Sequence, residues 1–496
     1  MVRRRIRVRG RDETSVAALT SRFAALRTEL GIPAQFPPEV LAAAGEAARA
    51  PQPPREDLTA VPFVTVDPPG STDLDQALHL ATQGAADGPA GYRVHYAIAD
   101  VPAFVPPLGP VDTEARRRGQ TLYAPDTRTP LHPPELSEDA ASLLPDQDRP
   151  AFVWRFDLDA SGEVRSFDVV RATVRSRVKL DYERVQRAVD TPDADPHVTD
   201  QAVLLARIGT LRIALERARG GANLPLPEQD VVADGGRYTL TLRAGLPSED
   251  WNAQLSLMTG MAAARLMLDA GVGILRTLPA PDEAVLLRFR RQGAALGVVR
   301  PADMPLAELL ASLDRDDPAE LALLHEAGSL FRGAGYSPLL PGSPPAVTTH
   351  AAVAAPYAHV TAPLRRLVDR FGLVAAHAVC HGEPVPAWVV EALPTLPAVM
   401  SASDQLAGRL DRGCRDAVEA AVLHGRVGEV FDAVVVDAHE PRAGSPAPDG
   451  GKVQLREPAV VARCSGAVRP GTAVRVRLTE ADVATGTVRF VLHAGE

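Results

Sequence analysis

Twice along this chain of 496 residues the apolar spacing changes period, and that alternation limits the folds open to it. Residues 61–170 alternate apolar and polar positions, in VPFVTVD, YRVHYAIADVPAFV, AFVWRFDLDASGEV and FDVVRATVRSRVKL. That is the period of half-buried strands, and DLDASGEV reads as a hairpin. Residues 180–420 turn mainly helical, with segments near 200–219, 250–270, 282–296, 304–328, 362–381 and 402–424. After His424 the strand period returns, in GRVGEVFDAVVVDA, GKVQLREPAVVARCSG and GTAVRVRLTEADVATGTVRFVL. Five short strands over roughly 70 residues match a small Greek-key barrel of the OB type.

Upstream of the first strands the chain reads differently. Residues 1–11, MVRRRIRVRGR, form a basic arm. Val16, Leu19, Phe23, Leu26 and Leu30 then mark an amphipathic helix from Ser15 to Leu30, ended by Gly31 and Pro33. A second helix is expected from about Pro38 to Ala50, and PQPPRED (51–57) reads as a linker. The expected fold class is α+β in three units: a helical N-terminal module at 1–58, a mixed α/β domain at 59–424 and an OB barrel at 425–496. The helical module has two readings, a helix-turn-helix-like RNA-binding unit or a brace packed on the main domain.

A 46% apolar fraction supports globular domains, and the length suggests two to four of them. No apolar run reaches the ~18 residues that span a bilayer, and no secretory signal follows the N-terminal arginines, so a cytoplasmic protein away from membranes is expected. Cys380, Cys414 and Cys464 are scattered and form no CxxC pair, which fits a reducing compartment and excludes a cysteine-based zinc cluster. His350, His359, His377 and His381 lack HExxH or a comparable spacing, which argues against zinc there too. A net charge of −9 weakly opposes a general nucleic-acid coat protein.

The stretch FVTVDPPGSTDLDQAL (63–78) holds the candidate chemistry. A strand from Val64 should deliver Asp67 at its end. Asp73 and Asp75 are two apart, so an extended backbone points both to one side. Such carboxylates repel and have raised pKa values unless a cation neutralises them; hard oxygen donors suit magnesium, with manganese as the alternative. A calcium EF-hand fails, because Pro69, Thr72 and Leu78 stand where a ligand, a glycine and a bidentate glutamate are needed. A catalytic metal site, a bare DxD pair and a hydrated loop all stay open on these residues alone.

Beyond that stretch the chain resembles the ribonuclease II / ribonuclease R (RNB) family of 3′-to-5′ exoribonucleases. The acidic segment is similar to the family's first motif, D-x-D-D after a short loop, and the resemblance continues in order. AIADV (97–101), VDTEARRRGQTLYAPD (111–126), PLHPPELSEDAASLLPDQDRPAF (130–152), SRVKLDYERVQ (176–186) and HAAVAAPYAHVTAPLRRLVDR (350–370) each resemble a family block. The tail resembles its C-terminal OB domain of the S-one type.

The resemblance implies that Asp67, Asp73 and Asp75 hold magnesium at the scissile phosphate, with Asp75 the least dispensable. Tyr123 matches the tyrosine that stacks near the 3′-terminal base. Arg365 matches an arginine at the phosphate beside the cleaved bond, with Arg366 as second choice. Pro363 is expected in the first turn of a helix that presents both arginines near its N-terminus. Tyr357 and Thr361 are weaker RNA-binding carry-overs, and His350 is expected to be structural.

Three departures stand out. Gln76 replaces the last aspartate of D-x-D-D, offering a carbonyl oxygen and no charge as a metal ligand. WNAQLSLMTGMA (251–262) has Leu255 and Ser256 where many relatives carry a glutamate pair, leaving Asn252 and Gln254 as substitutes. Cys414 stands near a position where relatives often use glutamate, with Glu419 about one turn away. The expected function is a magnesium-dependent hydrolytic exoribonuclease that degrades single-stranded RNA from a free 3′ end, processively, to nucleoside 5′-monophosphates. A monomer without an obligatory protein partner is expected. The alternatives are an RNB-fold protein that binds RNA 3′ ends with weakened catalysis, and a DxD-type transferase.

Overall fold

A computed structural model describes residues 13–493 apart from 53, 85–90, 223–227, 235–236, 244, 302, 315–316, 439–449, 456–457 and 459; the arginine arm at 1–11 lies outside the described residues. Two helices come first, α1 (Glu13–Glu29) and α2 (Pro38–Arg49). Strands β1 (Glu56–Asp57), β2 (Phe63–Asp67), β3 (Gln76–Gln83) and β4 (Gly91–Ala99) lead to helix α3 (Pro110–Arg118). A small hairpin, β5 (Leu122–Tyr123) and β6 (Arg128–Thr129), precedes the long strands β7 (Asp148–Leu158) and β8 (Val164–Asp181).

One six-stranded sheet, in the order β1-β8-β2-β3-β4-β7, organises this half. The hairpin expected at DLDASGEV joins β7 to β8, with Leu158 opposite Val164. Strand β8 is 18 residues long. Its first part pairs antiparallel with β7 and its last part runs parallel to β2, so the sheet curls on itself. The final register places Asp67 beside Asp181. Val64, Val66, Leu78, Tyr96, Trp154 and Phe156 join one buried cluster, while Phe63, Ala77, Ala97 and Val153 join another. Both faces of the sheet are therefore covered, so its central strands are more deeply buried than the alternating, half-buried pattern suggests.

The helical half holds α4 (Tyr182–Asp190), α5 (Pro196–Ala218) and α6 (Pro247–Ala270). Between α5 and α6 lies a hairpin, β9 (Glu228–Asp234) with β10 (Arg237–Arg243), which the helical reading of 180–420 missed. Strand β11 (Gly273–Thr277), helices α7 (Glu283–Ala295), α8 (Leu306–Ala311) and α9 (Pro318–Ala327), and strands β12 (Gly335–Leu339), β13 (Thr349–His350) and β14 (Ala355–Pro356) follow. Helices α10 (Leu367–Cys380), α11 (Ala387–Ala392) and α12 (Leu396–Leu423) complete it. Helix α6 is central because it carries a glycine at a crossing: a Cβ on Gly260 would lie 2.2 Å from the Tyr357 ring.

The tail closes as expected into a five-stranded barrel, β15 (Val430–Ala438), β16 (Gly450–Leu455), β17 (Val461–Ser465), β18 (Ala473–Asp482) and β19 (Thr487–Leu492). Among the described residues, the buried side chains of the two N-terminal helices fall in different clusters. Leu19, Phe23 and Leu26 of α1 are buried with Leu410 and Cys414 of α12 and with the barrel residues Phe431 and Phe490. Val40 and Ala44 of α2 sit instead with Phe63 and Val111 of the mixed α/β domain. Each helix lays its buried face on a different neighbour.

Candidate active site

Strand β2 ends at Asp67, and the chain crosses Pro68 to Asp75 before β3 begins at Gln76. The loop is pinned at several points. Lys179 Nζ donates to the Ser71 carbonyl, Ser142 Oγ donates to the Thr72 carbonyl (2.7 Å), and the Leu74 N–H donates to Ser142 Oγ (2.9 Å). So held, the loop brings Asp67, Asp73 and Asp75 to one cleft of about 540 Å³, lined also by Gln76, Tyr123, Arg128, Tyr182 and Arg365.

The three carboxylates differ in environment. Asp67 Oδ2 is buried without a hydrogen-bond partner. Burial, with the Asp73 charge close by, pushes the Asp67 carboxyl up to about 7 against the pull of Lys179 and Arg365. Asp73 pairs with Arg128 (3.0 Å) and accepts a long contact from the Tyr123 hydroxyl (3.4 Å). Asp75 Oδ1 accepts from the Leu364 N–H (2.7 Å), and its Oδ2 lies 3.5 Å from Arg365 Nε. Burial holds the Asp75 carboxyl well above the usual carboxylate range, opposed by Arg365 and that N–H.

Crowded, partly unpartnered carboxylate oxygens are the donor set a hard divalent cation takes, and the orphaned Asp67 oxygen is the clearest sign of it. Among the described residues no group of three or more His, Cys, Asp or Glu side chains is gathered tightly enough to enclose a metal ion. Asp73 and Asp75 are turned toward Arg128 and Arg365 instead. The fit is thus one of donor chemistry, with Asp67, Asp73 and Asp75 as the residues that would hold the ion.

Gln76 has another occupation. Its Oε1 accepts from the buried Tyr96 hydroxyl (2.6 Å) and its Nε2 donates to the Thr361 carbonyl (2.7 Å). An aspartate could not make that second contact, because an ionised carboxylate has no proton to give. The amide therefore ties the acidic loop to the segment that carries Arg365.

That segment departs from expectation. Helix α10 starts at Leu367, so Pro363, Leu364 and Arg365 form turns ahead of it and Arg366 is its N-cap. The reason lies in the acids: Asp369 Oδ1 takes the Ala362 N–H (2.7 Å) and Asp75 takes that of Leu364, holding both in turn geometry. Arg365 reaches the cleft with its side chain 45% exposed. The Arg366 fork is engaged bidentately with Asp369 (2.9 and 2.8 Å). Tyr357 is buried against Gly260, and Thr361 Oγ1 bonds Ser256 Oγ (2.7 Å), so both face the interior. Tyr123, by contrast, is 52% exposed at the cleft.

Of the substitutes for the missing glutamates, Asn252 lies near the cleft residue Tyr182, whereas Gln254 turns to Glu216 (2.6 Å). Cys414 is buried against α1, and Glu419 Oε1 takes the Val461 N–H of the barrel (3.3 Å). Tyr182 and Arg128 are the cleft residues that sequence reasoning missed. Tyr182 directly follows the strand whose end pairs with Asp67, but only the parallel register of β2 and β8 reveals that adjacency.

Comparison with known proteins bears on this site. The RNB domain family matches residues 55–379, and the RNase II-type exonuclease C-terminal S1 domain matches residues 429–493. The chain is 31% identical to the exosome complex exonuclease RRP44 homolog A of Arabidopsis thaliana over 64% of its own length and 35% of that protein. It is 39% identical to exoribonuclease 2 of Pasteurella multocida over 26% of its length and 20% of that protein. It thus spans well under half of the length of these two relatives. Among solved structures, the apo form of Mycoplasma genitalium RNase R superposes with a TM-score of 0.83 at 19% identity, over 96% of this chain and 78% of that one. Yeast Ssd1, a pseudonuclease, superposes with a TM-score of 0.65 at 17% identity, over 89% of this chain and 53% of that one. One fold thus serves proteins with and without nuclease activity, so chemistry must be argued from side chains.

Proposed function

The chain belongs to the RNB family, and from there we propose that it is a hydrolytic 3′-to-5′ exoribonuclease acting on single-stranded RNA. The observation that carries this reading is the convergence of Asp67, Asp73 and Asp75 with Arg365, almost 300 residues further along, on one cleft. Burial holds the carboxyls of Asp67 and Asp75 above the usual carboxylate range beside that arginine, a perturbation that clusters at functional sites.

Each residue takes a task its position supports. The exposed Tyr123 ring offers a face on which the 3′-terminal base stacks with little sequence preference. Arg365 donates to the phosphate beside the scissile bond and meets the charge that develops there. Asp75 holds Arg365 toward the cleft and, through the Leu364 N–H, fixes the turn on which it stands. Asp67 and Asp73 complete the negative rim. Magnesium held by the three aspartates would supply positive charge to the phosphate oxygens and acidify the attacking water. The products are nucleoside 5′-monophosphates released one at a time, and the barrel at the tail adds contacts to the incoming strand. Action as a cytoplasmic monomer completes the proposal.

The decisive experiment incubates labelled single-stranded RNA with the full chain and magnesium and compares Asp75→Asn. The native chain should give a shortening ladder with monophosphate release. The variant should retain RNA binding and lose at least about a hundred-fold in rate, the scale of losing one electrostatic group from a closed site. Binding without products from the native chain would instead mark a 3′-end-binding protein. An unchanged rate in Asp75→Asn would remove that residue from the chemistry.

A further inference from the structure

The hairpin that carries Tyr123 is held on two sides, and one of them belongs to the N-terminal helix. Leu122 and Tyr123 are adjacent in an extended strand, so they face opposite ways. Leu122, 4% exposed, is buried in the cluster formed by Leu19, Phe23 and Leu26 of α1 with α12. Tyr123 faces the cleft. At the tip of the same hairpin, closed by the Ala124 N–H donating to the Thr127 carbonyl (2.9 Å), stands Asp126. Arg27 of α1 grips it bidentately, at 2.7 and 3.0 Å. The two side chains are only 21% and 14% exposed. On the cleft side Arg128, opposite Tyr123 in register, pairs with Asp73 (3.0 Å) and Glu138 (2.6 Å).

We propose that Arg27 is a positioning residue for the base-stacking wall: through Asp126 it holds the Tyr123 hairpin at the register the 3′-terminal nucleotide needs. This rests on the function proposed above and extends it to the N-terminal helix. A forked guanidinium–carboxylate contact fixes direction as well as distance, which a single hydrogen bond or a packed methyl group does not. Release of the tip leaves Arg128 as the remaining charged anchor described for this hairpin, and that anchor sits on the acid to which the substrate's phosphate must come close. The outer grip lets Tyr123 stay in place when RNA competes for the inner one.

The test compares Arg27→Met, Asp126→Asn and the exchanged pair Arg27→Asp with Asp126→Arg on short and long labelled oligoadenylates. Both single variants should raise KM for the short substrate roughly five-fold, the equivalent of about 1 kcal/mol, with kcat close to native. The exchanged pair should restore KM. In a Tyr123→Ala background, Arg27→Met should change KM no further, because its effect passes through that ring. A native KM in both single variants, or an undiminished effect of Arg27→Met in the Tyr123→Ala background, would overturn the proposal and reduce the ion pair to a docking contact of α1. The same comparison read as Kd in the Asp75→Asn background needs no turnover. A native chain that shortens no RNA would therefore sink the proposed activity while the role of Arg27 is still decided.

Discussion

Replacing Gln76 by glutamate changes one atom, an amide nitrogen to an oxygen, and so isolates what that side chain does. In the native protein Gln76 accepts from the Tyr96 hydroxyl and donates to the Thr361 carbonyl at 2.6 and 2.7 Å. An ionised glutamate keeps the first contact, strengthened by charge, and turns the second into a lone-pair clash. The Thr361 carbonyl then lacks the donor Gln76 supplied, which costs about 1–3 kcal/mol for a group in this setting. At about 2.1 cal/mol/K per residue, a unit the size of residues 55–379 unfolds with an entropy near 0.7 kcal/mol/K, so the midpoint should fall by about 1.5–4.5 °C. The sign of the pH dependence sharpens the test. A protonated glutamate can again donate to Thr361, so its folded pKa rises above the ordinary value of about 4.3. The deficit against native is then full at neutral pH and shrinks as pH falls toward that value. Thermal unfolding of both proteins across this range reads it directly. Equal midpoints at neutral pH, or a deficit that does not shrink on acidification, would refute the idea that the amide braces the acidic loop against the Arg365 segment.

Two further outcomes follow from the packing. Gly260→Ala places a Cβ 2.2 Å from the Tyr357 ring and 2.6 Å from the Ala358 carbonyl oxygen, and the backbone atom cannot swing aside. Urea unfolding should show a loss of about 1–3 kcal/mol, and a native midpoint would mean that α6 slides past the Tyr357 segment without strain. Acid should destabilise the fold through histidines kept neutral inside it. Burial and the Arg370 charge push His132 down to about 3, and burial with His79 beside it pushes His95 down to about 4. Their stabilisation is complete above the unfolded pKa of about 6.5 and is lost as pH falls toward 3–4, because the unfolded chain takes up protons first. His132→Gln should flatten the decline in urea midpoint between those limits, and an unchanged slope would place the acid sensitivity elsewhere.

Much of this fold was legible in the chain because its elements obey their periods. The strand that ends at Asp67, the hairpin at DLDASGEV, most of the long helices and the five-stranded tail lie where spacing puts them, whereas the segment expected near 304–328 divides into α8 and α9. The strand pair at 228–243 was overlooked inside a helical stretch, since short hairpins leave only a brief alternation. The cleft was legible only in part. Asp67, Asp73, Asp75, Tyr123 and Arg365 do meet there. Arg366 looks the same as Arg365 in sequence, but Asp369, one helical turn on, engages it. The occupation of Gln76 and the reach of Arg27 to Asp126 depend on partners 285 and 99 positions away, and local pattern carries no trace of them. An amphipathic stripe on α1 shows that a face is covered; it does not show by what.

The mixed cluster that covers α1 has a consequence for how the molecule comes into being. It unites residues 19–32 with 410–423 and with barrel residues as far as Phe490, and Leu122 of the cleft hairpin belongs to it. Contacts of such sequence separation carry the largest loop-closure cost and form late. During synthesis the sheet that bears the aspartates has its strands in hand long before the barrel strands emerge. The wall behind Tyr123 therefore sets last, and a chain still tethered to the ribosome before its barrel is made has the acids of its cleft without the finished support of the Tyr123 hairpin.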